Sequence, residues 1–299
     1  MGRDSPKWIA TQRVVPGPTT SPEDGKIKAV PLKVIWVFGH GIAGLAGLVT
    51  FPQLDALLVF LGLTGLTVCA GHSVGMHRLL IHRSFETPRG LEYFLVWLGL
   101  LVGMAGPFGM IRAHDMRDWH QRQRVCPPHP SHDAPFLQDA WWQMCCVFQL
   151  KSPPEFTIEE DIKHDPVYRF MERTWMAQQL PVAIFLYVLG GWAWVLWGVS
   201  LRIFVSLLGH WMVGHFAHRT LETNQEFEAL PVQGRNLPGL GLFTFGENWH
   251  GNHHAFPESA KLGIGHGQID PGYLLINCLQ KCGLAWNVNT PKSELFGQQ

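Results

Sequence analysis

The 299 residues contain sixteen histidines, and all but His40 lie from residue 72 onward. They gather in four places. The stretch GENWHGNHHAFP, residues 246–257, sets His250, His253 and His254 at i, i+3 and i+4. On a helix these three share one face within about one turn. HRLLIH supplies His77 and His82, HDMRDWH supplies His114, Asp118 and His120, and residues 210–218 supply His210, His215 and His218. Neutral imidazoles that converge on one face are ligands for a transition metal. Imidazole and carboxylate donors without organised thiolates suit iron, manganese or zinc. HExxH and the paired Cys/His spacing of zinc fingers are both absent, so zinc protease and zinc-finger readings lack their motifs. The candidate ligands outnumber what one ion can hold, which points to two ions close together. A pair of irons can activate O2, and few other groups attack an unactivated C–H bond.

Such a site must be positioned by helices in an apolar setting. The chain is 46% hydrophobic and 15% charged, with 13 Trp, which is little charge for a soluble protein. Lys+Arg and Asp+Glu are equal at 23 each. No global basic field exists, which argues against nucleic acid as a partner. Residues 34–51 and 56–70 are apolar runs separated by Pro52 and Asp55. Each is a little short of the roughly 20 residues of a span, and the natural solution is a tight helical hairpin whose ends reach the interface. Residues 180–218 carry one formal charge, Arg202, with Gly190-Gly191 as the expected turn of a second hairpin. Arg202 then faces protein or a cavity rather than lipid. Residues 91–110 read as an interfacial helix that delivers His114, and the short apolar run 273–284 is expected to pack on the non-membrane part. Lys26, Lys28, Lys33, Arg78, Arg83, Arg89 and Arg219 flank the near ends of the spans, and the two far turns carry no basic residue. The positive-inside rule therefore puts the termini and the main His clusters in the cytoplasm, below four spans. The organisation expected is a disordered tail over 1–33, a membrane domain over 34–290 and a short polar tail over 291–299. The six cysteines form no CxxC pair and read as free thiols, with Cys278 and Cys282 as packing residues.

With these pieces in place, the chain resembles the membrane fatty acid desaturase family, its stearoyl-CoA desaturase-like branch in particular. GHSVGMHRLLIHRSF is similar to that family's first histidine box, GENWHGNHHAFP to its third, and LRIFVSLLGHWMVGHFAH to its last transmembrane helix. The resemblance implies an all-α integral membrane protein, four transmembrane helices under a cytosolic helical cap that holds two irons. It implies O2-dependent insertion of a cis double bond into a long acyl chain, carried by CoA or by a lipid. His77, His82, His250, His253 and His254 carry over as ligands, His114 matches the first ligand of the middle box, and His218 ends the last transmembrane helix as a further one. His210 and His215 fall on positions that are not ligands. Two departures stand out. The middle box of the family reads HRxHH, whereas the aligned run here is HDMRD. Asp118 stands where a histidine would and could coordinate as a carboxylate, Arg117 cannot, and His120 is near enough in sequence to substitute. Gly214 stands where close relatives carry an Asn that supports the metal.

Glu247 and Asn252 read either as groups that hold the metal-bound imidazoles or as helix caps. The implied cofactors are two Fe2+, with O2 as co-substrate. The implied partners are a fatty acyl substrate, membrane lipid and an external electron donor of ferredoxin or cytochrome b5 type, since no such module is visible in the chain. The expected place is a multi-pass position in a bacterial cytoplasmic membrane with the site on the cytosolic side. Arg78, Arg83, Arg89, Lys151 and Lys163 are expected near the substrate entrance, where they could bind a phosphate-bearing headgroup or face anionic lipid. The same site chemistry also permits a diiron lipid or alkane hydroxylase. A haem-binding membrane electron carrier needs histidines facing each other from neighbouring spans, and the HxxHH pattern outside the spans fits it badly.

Overall fold

A computed structural model describes residues 13–123, 129, 134–219 and 234–291. Two short strands come first. β1 (Val14–Val15) pairs antiparallel with β4 (Glu155–Phe156), and β2 (Gly25–Ala29) pairs antiparallel with β3 (Cys146–Leu150), with Gly25 opposite Leu150 and Ala29 opposite Cys146. Residues 13–33, expected as part of a disordered tail over 1–33, carry these two strands, residues 1–12 and 292–299 of the expected tails lie outside the described residues, and the chain is mostly helical with two small sheets beside the expected helices. The polar, proline-broken composition of this segment gives no core of its own. Its order comes from edges and partners supplied more than a hundred residues away.

α1 (Pro31–Thr50) starts with Pro31 in its first turn, where a missing N–H costs nothing. α2 (Leu54–Ile81) begins as an ordinary α-helix and changes at Leu66 to a π-helix that runs to Ile81. α3 (Arg89–Leu100) lies against this π-helical part, with their backbones nearly touching. A Cβ built on Gly71 would sit 2.3 Å from the Gly99 nitrogen, and one on Gly75 would sit 2.4 Å from the Leu95 oxygen. Small residues at i and i+4 are the usual device for so close an approach of two helices in an apolar medium. α4 (Pro107–Gln121) follows after a turn, then α5 (Phe136–Cys145), α6 (Glu160–Lys163) and α7 (Pro166–Thr174).

α8 (Gln179–Val195) runs through a π-helical stretch, Leu196–Leu201, into α9 (Arg202–Ala217). Gly191, at φ 62° and ψ −155°, breaks this run, a conformation open in practice to glycine alone. The chain folds back there, so that Leu186 packs with Val199 and Ile203. Among the described residues three helices are long and apolar enough to cross a membrane: Pro31–Thr50, Leu54–Ile81 and the interrupted Gln179–Ala217. Their outer faces leave Ile35, Ile42, Val49, Leu58, Ile184 and Val188 exposed, as lipid-facing surfaces do. The two hairpin turns lie together, because Trp194 Nε1 donates to Asp55 Oδ2 at 2.8 Å and Trp197 Nε1 donates to the Gly47 carbonyl at 3.1 Å. Arg202 faces protein. Its Nε donates to the Gly198 carbonyl at 2.7 Å and its Nη2 to Gln179 Oε1 at 2.8 Å, while Nη1 holds the Leu101 carbonyl and so ties the turn after α3 to the hairpin.

The last helices are α10 (Gly241–Thr244), α11 (His250–Ala255) and α12 (Pro271–Lys281). α12 buries Ile276 in the main core beside Val74, Leu79 and Leu80 of α2. Cys278 and Cys282 are exposed rather than packed, and the described cysteines are all free thiols.

Candidate metal centre

His77 and His82 are five residues apart. On an α-helix, at 3.6 residues per turn, they would point about 140° apart. The π-helix removes that angle, because each turn closes through an i→i+5 hydrogen bond. The His82 N–H donates to the His77 carbonyl at 3.1 Å, and the two ring centroids are 4.9 Å apart. α4 adds His114, whose Nε2 is 3.2 Å from His82 Nε2. α11 adds His253, whose Nε2 is 3.3 Å from His77 Nε2. These four imidazoles converge, with one ring nitrogen from each within 4.8 Å of all the others.

The other two histidines of α11 turn elsewhere. His250 and His254 are one turn apart, with Nε2 atoms at 3.0 Å, and His218, just past the end of α9, brings its Nε2 to 2.7 Å from that of His250. They form a second group of three. The two groups adjoin through α11, where the His253 ring centroid is 5.7 Å from that of His250 and 5.6 Å from that of His254.

Charged groups back the four-imidazole group. His77 Nδ1 is 2.7 Å from Glu247 Oε2, and the other oxygen of Glu247 accepts from Ser73 Oγ at 2.6 Å. His114 Nδ1 is 2.9 Å from Asp115 Oδ1. Burial raises the Glu247 pKa, but the charge and hydrogen bond of His77, with Arg78 behind, outweigh it and hold the carboxylate well below its ordinary range. Burial, then the neighbouring imidazoles, push His82 and His253 well below the usual histidine value. His250 is pushed down in the same way, with Asp118 opposing. Burial also lowers His114, but Asp118 and Asp115 together bring it above that value. Buried imidazoles whose Nε2 atoms approach pairwise to 2.7–3.3 Å and converge within 4.8 Å fit a bound cation at each group.

His120 is not part of either group. It lies six residues from His114, so an α-helix turns it away. Its Nδ1 is 2.7 Å from the Met116 carbonyl and its ring packs edge-on against Phe148 of β3. The structure therefore does not bring it together with the other candidate ligands. Asp118, at i+4 from His114, keeps the inner face, is buried, and acts electrostatically on both His114 and His250. Asn252 holds the helix rather than an imidazole: its Nδ2 donates to the Leu262 carbonyl at 2.6 Å and to Gln268 Oε1 at 2.8 Å, and its Oδ1 accepts from Asn236. His215 turns to Asp139 at 2.7 Å, and His210 meets His72 edge-on at 5.0 Å. The two departures in the sequence meet in space. A Cβ on Gly214 would fall 2.7 Å from Arg117 Nη1 and 2.8 Å from Nη2, so the guanidinium fills the room a side chain at 214 would need.

The basic residues expected to await a headgroup each have a carboxylate. Arg78 pairs with Asp270 at 2.9 Å, Arg83 with Glu92 at 2.9 Å, Arg89 with Glu92 and Asp165, Lys151 with Asp24 at 3.5 Å and Lys163 with Glu160 at 3.1 Å. Sequence reasoning missed Asp115, Ser73 and Arg13. Asp115 follows a candidate ligand directly, and that adjacency was the available signal. A cavity of about 570 Å³ reaches the site. His77, His114, His218 and His250 form part of its wall, and Trp36, Val68, Val102, Met104 and Val205 line its apolar length.

Comparison with known proteins agrees with this geometry. The family model described as fatty acid desaturase matches residues 54–261. An sn-1 stearoyl-lipid 9-desaturase of Anabaena variabilis is 35% identical over 73% of this chain and 78% of its own. One of the same name from Synechocystis sp. is 32% identical over 90% of this chain and 84% of its own. An acyl-CoA 5-desaturase of Anemone leveillei is 30% identical over 78% of this chain and 72% of its own. A family match that spans all four histidine clusters, together with relatives that cover most of the chain, makes this protein an oxidoreductase that belongs to the fatty acid desaturase family.

Proposed function

We propose that the protein inserts a cis double bond into a long fatty acyl chain at a pair of irons, using O2 and electrons from an external ferredoxin or cytochrome b5 type donor. The observation that carries this reading is the pair of adjoining imidazole groups on the wall of an apolar cavity. In it His77, His82, His114 and His253 hold one iron, and His218, His250 and His254 hold the other with Asp118 as the nearby carboxylate. Bound there, the irons would activate O2, whose reduction to two waters takes up two external electrons, two protons and one hydrogen from each of two neighbouring CH2 groups. The chain's own residues do the rest. Glu247 and Asp115 fix ring orientation through the Nδ1 atoms of His77 and His114. The cavity, within the range of about 300–1,000 Å³ usual for ligand sites, binds the acyl chain, excludes water and presents one stretch of it to the metals.

The break at Gly191 supports a second hairpin and hence four spans, with the helical parts that carry the histidines forming a cap on the cytosolic side. We read the acyl donor as a membrane lipid. The relatives at 35% and 32% identity described above are named for lipid-linked chains. Expression in a desaturase-null host with a matched electron donor tests this. Double bonds located by mass spectrometry should appear in glycerolipid acyl chains, and His253→Ala at equal membrane level should give none. A hydroxylated chain would make the protein an oxygen-inserting member of the family, and wild-type turnover by His253→Ala would refute the metal reading.

A further inference from the structure

The ordered start of the chain reaches the site. β1 pairs with β4, and the Thr157 N–H donates to the Arg13 carbonyl at 3.0 Å. This register drops the Arg13 side chain, fully buried, between α4, the end of α2 and the residues after β4. All three guanidinium nitrogens are used. Nε and Nη2 grip Glu159 at 3.0 and 2.7 Å, Nη1 donates to Asp115 Oδ2 at 3.0 Å, and Nη2 also donates to the Ile81 carbonyl at 2.9 Å. Asp115 uses its other oxygen to hold His114 Nδ1, and Ile81 is bonded directly to His82. One cation therefore touches the supports of two of the four imidazoles in the first group, and no comparable contact runs from it to His218, His250 or His254 among the described residues.

We propose that Arg13 is a positioning residue for the four-imidazole metal site, acting on His114 through Asp115 and on His82 through the Ile81 carbonyl. This rests on reading that group as a metal site. An arginine suits the role, because its planar fork spans a carboxylate bidentately and still has donors for two more acceptors. Lysine offers three donors from a single point and lacks the planar fork that spans acceptors set this far apart. Glu159 neutralises the cation and fixes its plane, so that Asp115 keeps its second oxygen for His114. The segment from residue 13 to the first helix is part of the site's scaffold.

The test reads metal affinity, not turnover. Co2+ is titrated against a competing chelator into purified metal-free protein in two backgrounds. His254→Ala breaks the three-imidazole group and leaves the four-imidazole group to report, and His253→Ala does the converse. Arg13→Gln should weaken Co2+ binding about 10–100-fold in the His254→Ala background, as loss of a group behind a ligand does, and leave it unchanged in the His253→Ala background. Arg13→Lys should fall between. Asp115→Asn should give a loss of similar size, and the double replacement should add little, because both act through one chain of contacts. Arg13→Gln/Glu159→Gln removes one anion with the cation and reads the same loss if the single variant does not fold. Unchanged affinity in the first background, equal weakening in both, or additive effects of Arg13→Gln and Asp115→Asn overturn the proposal. A parent protein that binds no Co2+ in either background removes the metal centre itself, a result separate from wild-type binding that Arg13→Gln leaves intact.

Discussion

Glu247 is the group through which the metal site is most easily perturbed without touching a ligand. Its Oε2 lies 2.7 Å from His77 Nδ1, its Oε1 accepts from Ser73 at 2.6 Å, and its depressed pKa shows that the site favours the charged carboxylate. Glu247→Gln keeps the shape and an acceptor for His77 but removes the charge. Glu247→Ala removes both. A hydrogen bond to a charged group contributes about 1.5–3 kcal/mol, and loss of a partner behind a metal-bound imidazole lowers affinity about 10–100-fold, which is about 1.4–2.7 kcal/mol. The glutamine variant should sit near the tenfold end and the alanine variant near the hundredfold end. Chelator-competition titration of Co2+ or Fe2+ into metal-free protein measures this, with thermal melting as the control for folding. The loss must fall on the group containing His77. Wild-type affinity in Glu247→Ala, or a loss confined to the group of His218, His250 and His254, would refute the assignment.

Other perturbations have defined outcomes. Gly214→Asn forces a side chain into the space of the Arg117 guanidinium and should destabilise the protein by about 1–3 kcal/mol as overpacking does, read as a lower melting temperature. The addition of Arg117→Ala should recover part of that loss, and strict additivity would show that the two residues do not meet. Asp118→Asn should lower metal content or turnover sharply while His120→Ala stays near wild type; iron analysis of the two proteins showing the reverse would exchange their roles. The metal-free protein should lose stability in acid. His82, His250 and His253 have folded pKa values below the unfolded value of about 6.5, so the unfolded chain binds more protons and stability falls as pH drops through that value. The raised value of His114 acts in the opposite sense, adding stability at low pH that is lost as pH rises through its folded value. Three groups outweigh one, and a metal-free melting temperature that is flat or higher at pH 5.5 than at pH 8 would contradict this.

Much of the site was legible because its ligands come in short local patterns. The i, i+3, i+4 spacing of His250, His253 and His254 foretold a helix, although not that His253 would serve one group and the other two a second. His77 and His82 read as a pair by proximity, but five residues is the wrong interval for an α-helix, and the π-helix that reconciles them leaves no mark in composition. His120 is close to His114 in sequence, but helical phase turns it toward Met116 and Phe148 instead. The hairpins followed from charge-free runs and from Gly190-Gly191, and Gly191 does break the helix. Arg13 was hidden in a segment whose local composition is that of a loop, since its order depends on Glu155–Phe156, Asp115 and Glu159. The pairing of Arg78, Arg83 and Arg89 with carboxylates is likewise a matter of tertiary contact, and a count of positive charges could only overstate their freedom.

In the proposed function the seven imidazoles form two adjoining metal sites of different composition. Iron counted per chain in purified, folded protein, alongside His253→Ala and His254→Ala, tests it most directly. The wild-type chain should hold close to two irons and each variant about one, retained at the group left intact. Wild-type protein with one iron or none after reconstitution, or variants that keep both, would contradict it.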